Sequence, residues 1–419
     1  MYYWDSNPKP AFWGFEKMKK YYLIDHKWLF LFGFIFYLCV PYFVGVTTIF
    51  KGFPGMELYR GFFDKIPKDK IQVYVLICIS WLVAFYLGHF CFKLIQPKKA
   101  SLQLFATNSA DYGISSVGIL LLFVLLVFTY LARNSVFGGY ASYDIAARGK
   151  MSTLLVILNF FLLYQLVSMR KVSWFLISGT VITCILLLSM GGRMYVFQTL
   201  IIVLVYKTSF APKRWKVYQI VIVAIAGFLI GSISGIWRLG GTYNLARAGY
   251  SFLAEPVFTW ISTSTFLIAN KIPLINFPSN FLTSFLNLIP NTVVSLKPYI
   301  VSSQGMGYSY LSPLGADSIW ATYIINFGVI GSFFFVFFTG FMLNLLRHLS
   351  EKNRFWAVYY IMVCGMLPFQ FFRDGFYIIN KQLFFNFLFF PGVILIVLKL
   401  IKYLNGQSRA IYKYGEAKV

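Results

Sequence analysis

The chain passes again and again through about 20 consecutive apolar residues, the length a helix needs to cross the hydrocarbon core of a bilayer. Inside that core each backbone N–H and C=O must find its partner within the segment, which selects helices over open strands. A chain of 419 residues that is 59% hydrophobic and only 12% charged also lacks the polar side chains that a soluble globule of this size needs on its surface. The apolar runs place spans near 28–49, 71–92, 114–132, 151–169, 172–190, 194–211, 217–236, 317–346, 355–372 and 376–398. The expected fold is all-α, a polytopic integral membrane protein of about ten transmembrane helices forming a single domain over 1–419.

Charge distribution orients these spans. The formal charge is +24, but the basic residues sit in short clusters between apolar runs, which is the signature of membrane anchoring and not of a nucleic-acid surface. With the N-terminus inside, 22 of the 37 Lys and Arg residues fall on the cytoplasmic side, including the tight pairs Lys98-Lys99, Arg170-Lys171 and Lys213-Arg214. Both ends of the chain are therefore expected in the cytoplasm. Residues 1–27 read as a cytoplasmic leader whose mixed aromatics and lysines suit a helix lying on the inner leaflet. A cleavable signal peptide does not fit, because the first apolar run is long enough to span. The five cysteines fall within or at the ends of apolar segments without metal-ligand spacing and read as packing residues.

The outside segments are then 50–70, 133–150, 191–193, 237–316 and 373–375. The fourth dominates, and long loops in compact proteins commonly carry function. Its apolar stretches at 257–269 and 281–296 are short and broken by Ser, Thr, Asn and Pro, so they read as helices at the interface or re-entering the membrane. Were both to span, the count would become twelve with the same orientation. Asn159, Gln165, Gln198, Asn326 and Asn386 read as hydrogen-bonding groups between helices, and Gly328 and Gly331 as close-packing positions.

The outer face is expected to carry Arg133, Arg148, Arg193, Arg238, Arg247 and Arg373, although positive-inside bias should have thinned arginine there. A guanidinium grips two phosphate oxygens at once and keeps its charge at any relevant pH, so several converging on one cavity would clamp a pyrophosphate. The competing reading is that each anchors its own helix to lipid headgroups. Arg193 opens the question most sharply, because Gly191-Gly192-Arg193 interrupts almost 40 apolar residues. Among the outer carboxylates Glu255 lies between aromatic and apolar residues, where desolvation favours a general base; the alternative is an ion pair with Arg247 or Arg238. Asp317 reads as a helix N-cap and Asp374 as a partner of Arg373. There is no Asp-x-Asp pair, phosphate loop or Cys/His ligand set, so neither metal nor cofactor is implied. The three histidines, His26, His89 and His348, fall on the cytoplasmic side.

Three features together resemble the bacterial oligosaccharide repeat-unit polymerases, the Wzy-type O-antigen and capsule polymerases. They are Ser189-Met-Gly-Gly-Arg193 between two spans, the long outer loop, and Gly307-Tyr-Ser-Tyr-Leu-Ser-Pro-Leu-Gly-Ala-Asp317 leading into Asn326-Phe-Gly-Val-Ile-Gly331. The family's arginine-to-glycine spacings are matched loosely by Arg238 to Gly249 and by Arg133 to Gly149. The resemblance implies a glycosyltransferase of the bacterial cytoplasmic membrane that joins undecaprenyl-pyrophosphate-linked oligosaccharides on its outer face, in lipopolysaccharide or capsule synthesis, with a chain-length regulator as a possible partner protein. It would place Arg148, Arg193, Arg238, Arg247 and Arg373 on pyrophosphate and glycan, and Glu255 as catalytic base. Two alternatives are a flippase or exporter of the same lipid-linked sugars, and an O-antigen ligase, whose outer loop is expected to carry a histidine.

The orientation is tested by labelling single cysteines in a background freed of the native five. An impermeant maleimide should label Gly139→Cys in intact cells and Lys99→Cys only after lysis; the opposite pattern would invert the topology.

Overall fold

The computed structural model describes residues 23–47, 49–95, 112–137, 144–168, 172–238, 244–289, 294, 296–315 and 317–416. Most of the leader, together with Lys98-Lys99 and Arg170-Lys171, lies outside these residues. Among them every regular element is helical. We number the helices α1 (His26–Val46), α2 (Met56–Phe63), α3 (Lys68–Ile95), α4 (Tyr112–Leu131), α5 (Ile145–Val167), α6 (Trp174–Ser189), α7 (Arg193–Val205), α8 (Val217–Arg238), α9 (Leu245–Ala269), α10 (Ser279–Thr283), α11 (Ile319–Ser350), α12 (Arg354–Met366), α13 (Gln370–Arg373) and α14 (Phe376–Leu404). Eight of these, α1, α3, α4, α5, α8, α9, α11 and α14, are long and apolar enough to cross a membrane, the pattern of a multi-pass membrane protein. Their outward faces carry large apolar side chains such as Leu76, Phe123, Ile225 and Ile396, as a lipid-facing surface requires.

The central seam joins α3 and α11, which run parallel. Tyr74 meets Trp320, Trp81 donates to Ser332 Oγ at 3.0 Å, Asn344 donates to the His89 carbonyl at 3.1 Å, and Phe92 lies against His348. The seam is close because Gly88 and Gly340 face the partner backbone, at Phe337 O and Phe85 O, where any Cβ would collide. The bundle thus has two ends. A loop face carries the 47–67 connection, and a terminus face gathers His26, His89 and His348. At the terminus face Asp25 caps α1 and pairs with Arg347 at 3.3 Å, while His26 links to Tyr360 Oη at 2.9 Å and to His89 at 3.3 Å.

Three expectations are corrected. The 257–269 stretch is not a short helix: it is the second half of α9, a continuous helix of 25 residues. Pro256 lies inside it, and the hydroxyls of Thr259, Ser264 and Thr265 turn inward onto helix carbonyls, which keeps an apolar-poor stretch helical without water. Both ends of α9 nevertheless pack on the loop face, Tyr250 against Phe50 and Phe53, and the Leu267 and Asn270 carbonyls on Lys70 Nζ at 2.6 and 2.9 Å. Both of its ends thus meet one face of the bundle, although its length alone would suffice to span. Second, the 355–372 run breaks at Met366 into α12 and the single turn α13, because Pro368 cannot continue the hydrogen-bond ladder. α12 is buried on nearly every side, so only 13 residues suffice. Third, the N-cap of α11 is Ser318, not Asp317.

α11 is itself interrupted at Gly328, with φ 67° and ψ −172°. That conformation is essentially restricted to glycine. Segment 273–276 fills the break: Val329 N–H donates to Pro273 O, Ile330 N–H to Leu274 O and Asn276 N–H to Phe327 O. Asn326 Oδ1 accepts from Phe281 N–H at 2.8 Å and Asn276 Nδ2 donates to Ile325 O at 2.5 Å. Asn326 thus ties α11 to α10, and Asn159 likewise bridges helices, donating to Thr199 at 2.8 Å. Gln165 accepts from Ser173 N–H, Asn386 donates to Gln382 one turn earlier, and Gln198 has both polar side-chain atoms buried without a hydrogen-bond partner. Gly328→Ala should lower stability by roughly 1–3 kcal/mol, read as a lower thermal midpoint of the detergent-solubilised protein. Gly61→Ala, helical and facing open space, should leave that midpoint unchanged.

Candidate functional site

Three remote parts of the chain meet on the loop face, each brought there by a local irregularity. The first is the turn between α6 and α7. Gly191 takes φ 79°, so the chain reverses within two residues and Arg193 becomes the first residue of α7. Its guanidinium runs between α8 and α9, where Nη1 donates to Gly231 O at 3.0 Å, Ser251 O at 3.3 Å and Ser251 Oγ at 3.2 Å. It fits because Gly235 presents no side chain; a Cβ there would meet both Arg193 and Ser251. One turn on, Phe197 packs over Gly231. Arg193 is thus a clamp between helices as well as a charge on this face.

The second part is Glu255, on α9 immediately before Pro256. Its Oε1 lies 3.0 Å from Arg373 Nε and accepts from Tyr37 Oη at 3.4 Å. Tyr37 comes from a π-helical turn over Ile35–Cys39 within α1, a distortion that often re-aims side chains at functional sites. The third part is α13. Arg373 ends this turn and also pairs with Asp374, Nη1 to Oδ1 at 3.5 Å, and touches Met194 Sδ at 3.5 Å. The Arg373–Glu255 approach is an ion contact off the N–H axis rather than an aligned hydrogen bond. Glu255 keeps 27% of its side-chain surface and Asp374 only 3%, so the former can meet a ligand while the latter holds Arg373 in place.

Phe36, Arg193, Met194, Phe197, Phe252, Glu255 and Phe369 enclose a hollow of about 10 Å3, room for no more than a water molecule. Its walls are rings in contact: Phe197 stacks on Phe369 and meets Phe252, which also meets Phe36. These low-dielectric walls strengthen every charge interaction inside. Burial pushes the Asp374 carboxyl up to about 6, with Arg373 opposing. Burial also works against the Arg373 charge, but Glu255 and Asp374 outweigh it and raise its pKa further.

A neighbouring group extends the cluster. Burial raises the Asp317 carboxyl above its ordinary value, opposed by hydrogen bonds from Ser312 and Tyr310. Tyr310 Oη donates to Asp317 Oδ1 at 3.2 Å, and Gly375 lies against Asp317 Oδ2, which joins this pair to the Arg373-Asp374 turn. The Gly307-to-Asp317 stretch reaches this position by strapping onto α9: Asn270 exchanges hydrogen bonds with Ser309 N–H and O, and Leu311 N–H donates to Thr265 Oγ1.

The structure therefore brings Arg193, Glu255 and Arg373 together, with Arg148 near them: the charges of Arg148, Arg373 and Asp374 all act on the Tyr195 hydroxyl. Arg247 is exposed in the first turn of α9 and Arg133 is exposed over the Tyr130 ring. The Arg238 side chain lies outside the described residues. Glu255 pairs with Arg373. Sequence reasoning passed over Tyr37, Asp317 and Tyr310; the Asp317–Tyr310 spacing within one motif was the signal available. Among the described residues no group of three or more His, Cys, Asp or Glu side chains is placed to hold a metal ion. No protein-family model, curated protein or solved structure matches the chain.

The raised Asp374 pKa gives a signed pH dependence. The folded state holds this proton more tightly than the unfolded chain, so its contribution is full below about pH 4 and is lost as pH rises through about 6. Stability should fall by roughly 2–3 kcal/mol across that window, with Asp317 adding the same sign. Thermal unfolding of Asp374→Asn should show a flatter profile; an unchanged profile would remove Asp374 as its source.

Proposed function

We propose that the protein is a polymerase of lipid-linked oligosaccharide repeat units in a bacterial cytoplasmic membrane, with its loop face outward and both termini in the cytoplasm. The observation that carries this reading is the meeting of Arg193 and Glu255, from distant stretches, at one aromatic-walled hollow, with Arg373 beside it against Glu255 and Met194. A soluble sugar donor would need a cation-binding acidic pair; a pyrophosphate leaving from lipid needs positive charge fixed in a dry site, which guanidinium groups supply.

In the resting site Glu255 is held by Arg373 and Tyr37. A pyrophosphate entering beside Arg373 competes for the guanidinium and frees the Glu255 carboxylate. Glu255 then takes the proton from the terminal hydroxyl of the incoming repeat unit as that oxygen attacks the anomeric carbon of the growing glycan. The bond from that carbon to pyrophosphate breaks, and the charge left on undecaprenyl pyrophosphate falls to Arg373, with Arg148 nearby. Asp374 keeps Arg373 aimed, and Arg193 holds α7, α8 and α9 in register. Substrate entry has to part Phe197 from Phe252 and Phe369, because the closed hollow admits no sugar. A separate chain-length regulator would act on how many such transfers precede release.

Arg373→Lys keeps the charge and loses the fork; Glu255→Gln keeps the shape and loses the base. Each should cut long-chain polymer about 100-fold while the protein is still inserted and monodisperse, and Arg247→Ala should leave polymer normal. Single repeat units should accumulate on the outer leaflet, which a flippase defect would not produce. Unaltered polymer length and amount in both variants would overturn the proposal.

A further inference from the structure

A second and far larger cavity lies apart from the hollow, a cleft of about 770 Å3 between α4, α5 and α14, within the range of sites that bury a substantial ligand. Its orientation follows from the helices. α4 ends at the loop face while α5 and α14 start there, so Phe128, Gly149, Lys150, Lys381 and Phe385 mark the loop-face end and Val117, Val397 and Leu398 the other. From Lys381 to Leu398 the helix rise gives about 25 Å, most of a hydrocarbon core. The cleft also opens sideways: Leu120, Val393 and Val397 line it and are exposed on the bundle surface.

The chemistry of the lining is lopsided. Lys150, Thr153 and Lys381 are its only residues with polar side chains, and the two lysines sit at the loop-face end. Neither pairs with a carboxylate among the described residues, and the one other charge acting on Lys381 is that of Lys297, also positive. Lys381 opens the π-helical stretch Lys381–Phe389, whose wider turn spaces Lys381 and Phe385 along the mouth. Two cations above a membrane-deep apolar slot complement a phosphate joined to a long hydrocarbon chain.

We propose that this cleft seats the polyprenyl chain of a lipid-linked substrate, with Lys150 and Lys381 holding its phosphate. The choice of a polyprenyl over an acyl chain rests on the polymerase reading; the cleft and its charge do not. The test uses the purified full-length protein in nanodiscs, with undecaprenyl phosphate as probe and phosphatidylglycerol as competitor, read by native mass spectrometry. Saturable binding should weaken at least about tenfold in Lys150→Gln/Lys381→Gln, as expected for losing charge-assisted contacts. It should weaken also in Val397→Trp, which fills the slot and leaves both lysines. Phosphatidylglycerol displacing the probe at equal concentration would make this a site for bilayer phospholipid and overturn the assignment. Absent binding, or binding indifferent to all three substitutions, would overturn it too. The two readings fail separately: lost polymer in Arg373→Lys with no probe in the cleft removes only the cleft, and a filled cleft with normal polymer in Arg373→Lys and Glu255→Gln removes the polymerase.

Discussion

A backbone shielded from water has to find each of its hydrogen-bond partners within the protein, and the unusual features of this fold are answers to that demand. Where α11 breaks at Gly328, the 273–276 backbone and Asn276 and Asn326 supply the missing partners. Along α9, which continues through Pro256, inward-turned hydroxyls find their acceptors on the helix's own carbonyls. At the α6–α7 turn the exposed carbonyls of Leu187 and Leu188 are taken by Gly192 and Gly191 N–H. At each of these breaks protein supplies the partners, and the α6–α7 turn and α9 both contribute to the candidate site.

The second organising force is the treatment of charge. Apart from the terminus-face cluster of Asp25, Lys27 and Arg347, the ion pairs of the described core gather around Arg373. A guanidinium this enclosed is tolerable only with carboxylates beside it, and two are present, one sealed and one reachable. That asymmetry distinguishes a site from a structural pair: Asp374 is sealed beside Arg373, whereas Glu255 can exchange its contact for a ligand. The aromatic walls raise the stakes by excluding water from the exchange.

Some of this was open to sequence reasoning and some was not. The membrane-length runs needed only composition and helix rise, so α1, α3, α4, α5, α8, α11 and α14 fall close to their expected bounds. Only the second half of α9 reads as helix from the sequence, because Ser, Thr and Pro lower apolarity in a helix that packs on protein. Arg193 was visible as a charge at a helix start; whether its fork would meet phosphate or the Gly231 carbonyl depends on which helix offers a glycine groove. Asp317 looked like a cap by position, yet its neighbour Ser318 took that role and left the carboxylate to Tyr310.

The amino-acid order by itself determined the class of fold and the approximate bounds of the longest apolar helices, since both follow from helix rise and the cost of polar groups in hydrocarbon. Only tertiary structure decided that both ends of α9 meet one face of the bundle, that Glu255 meets Arg373 across 118 residues of chain, and that α4, α5 and α14 stand apart to leave a slot. These outcomes depend on which helix surfaces interlock, and that is set by the shapes of side chains far apart in sequence, glycine grooves above all.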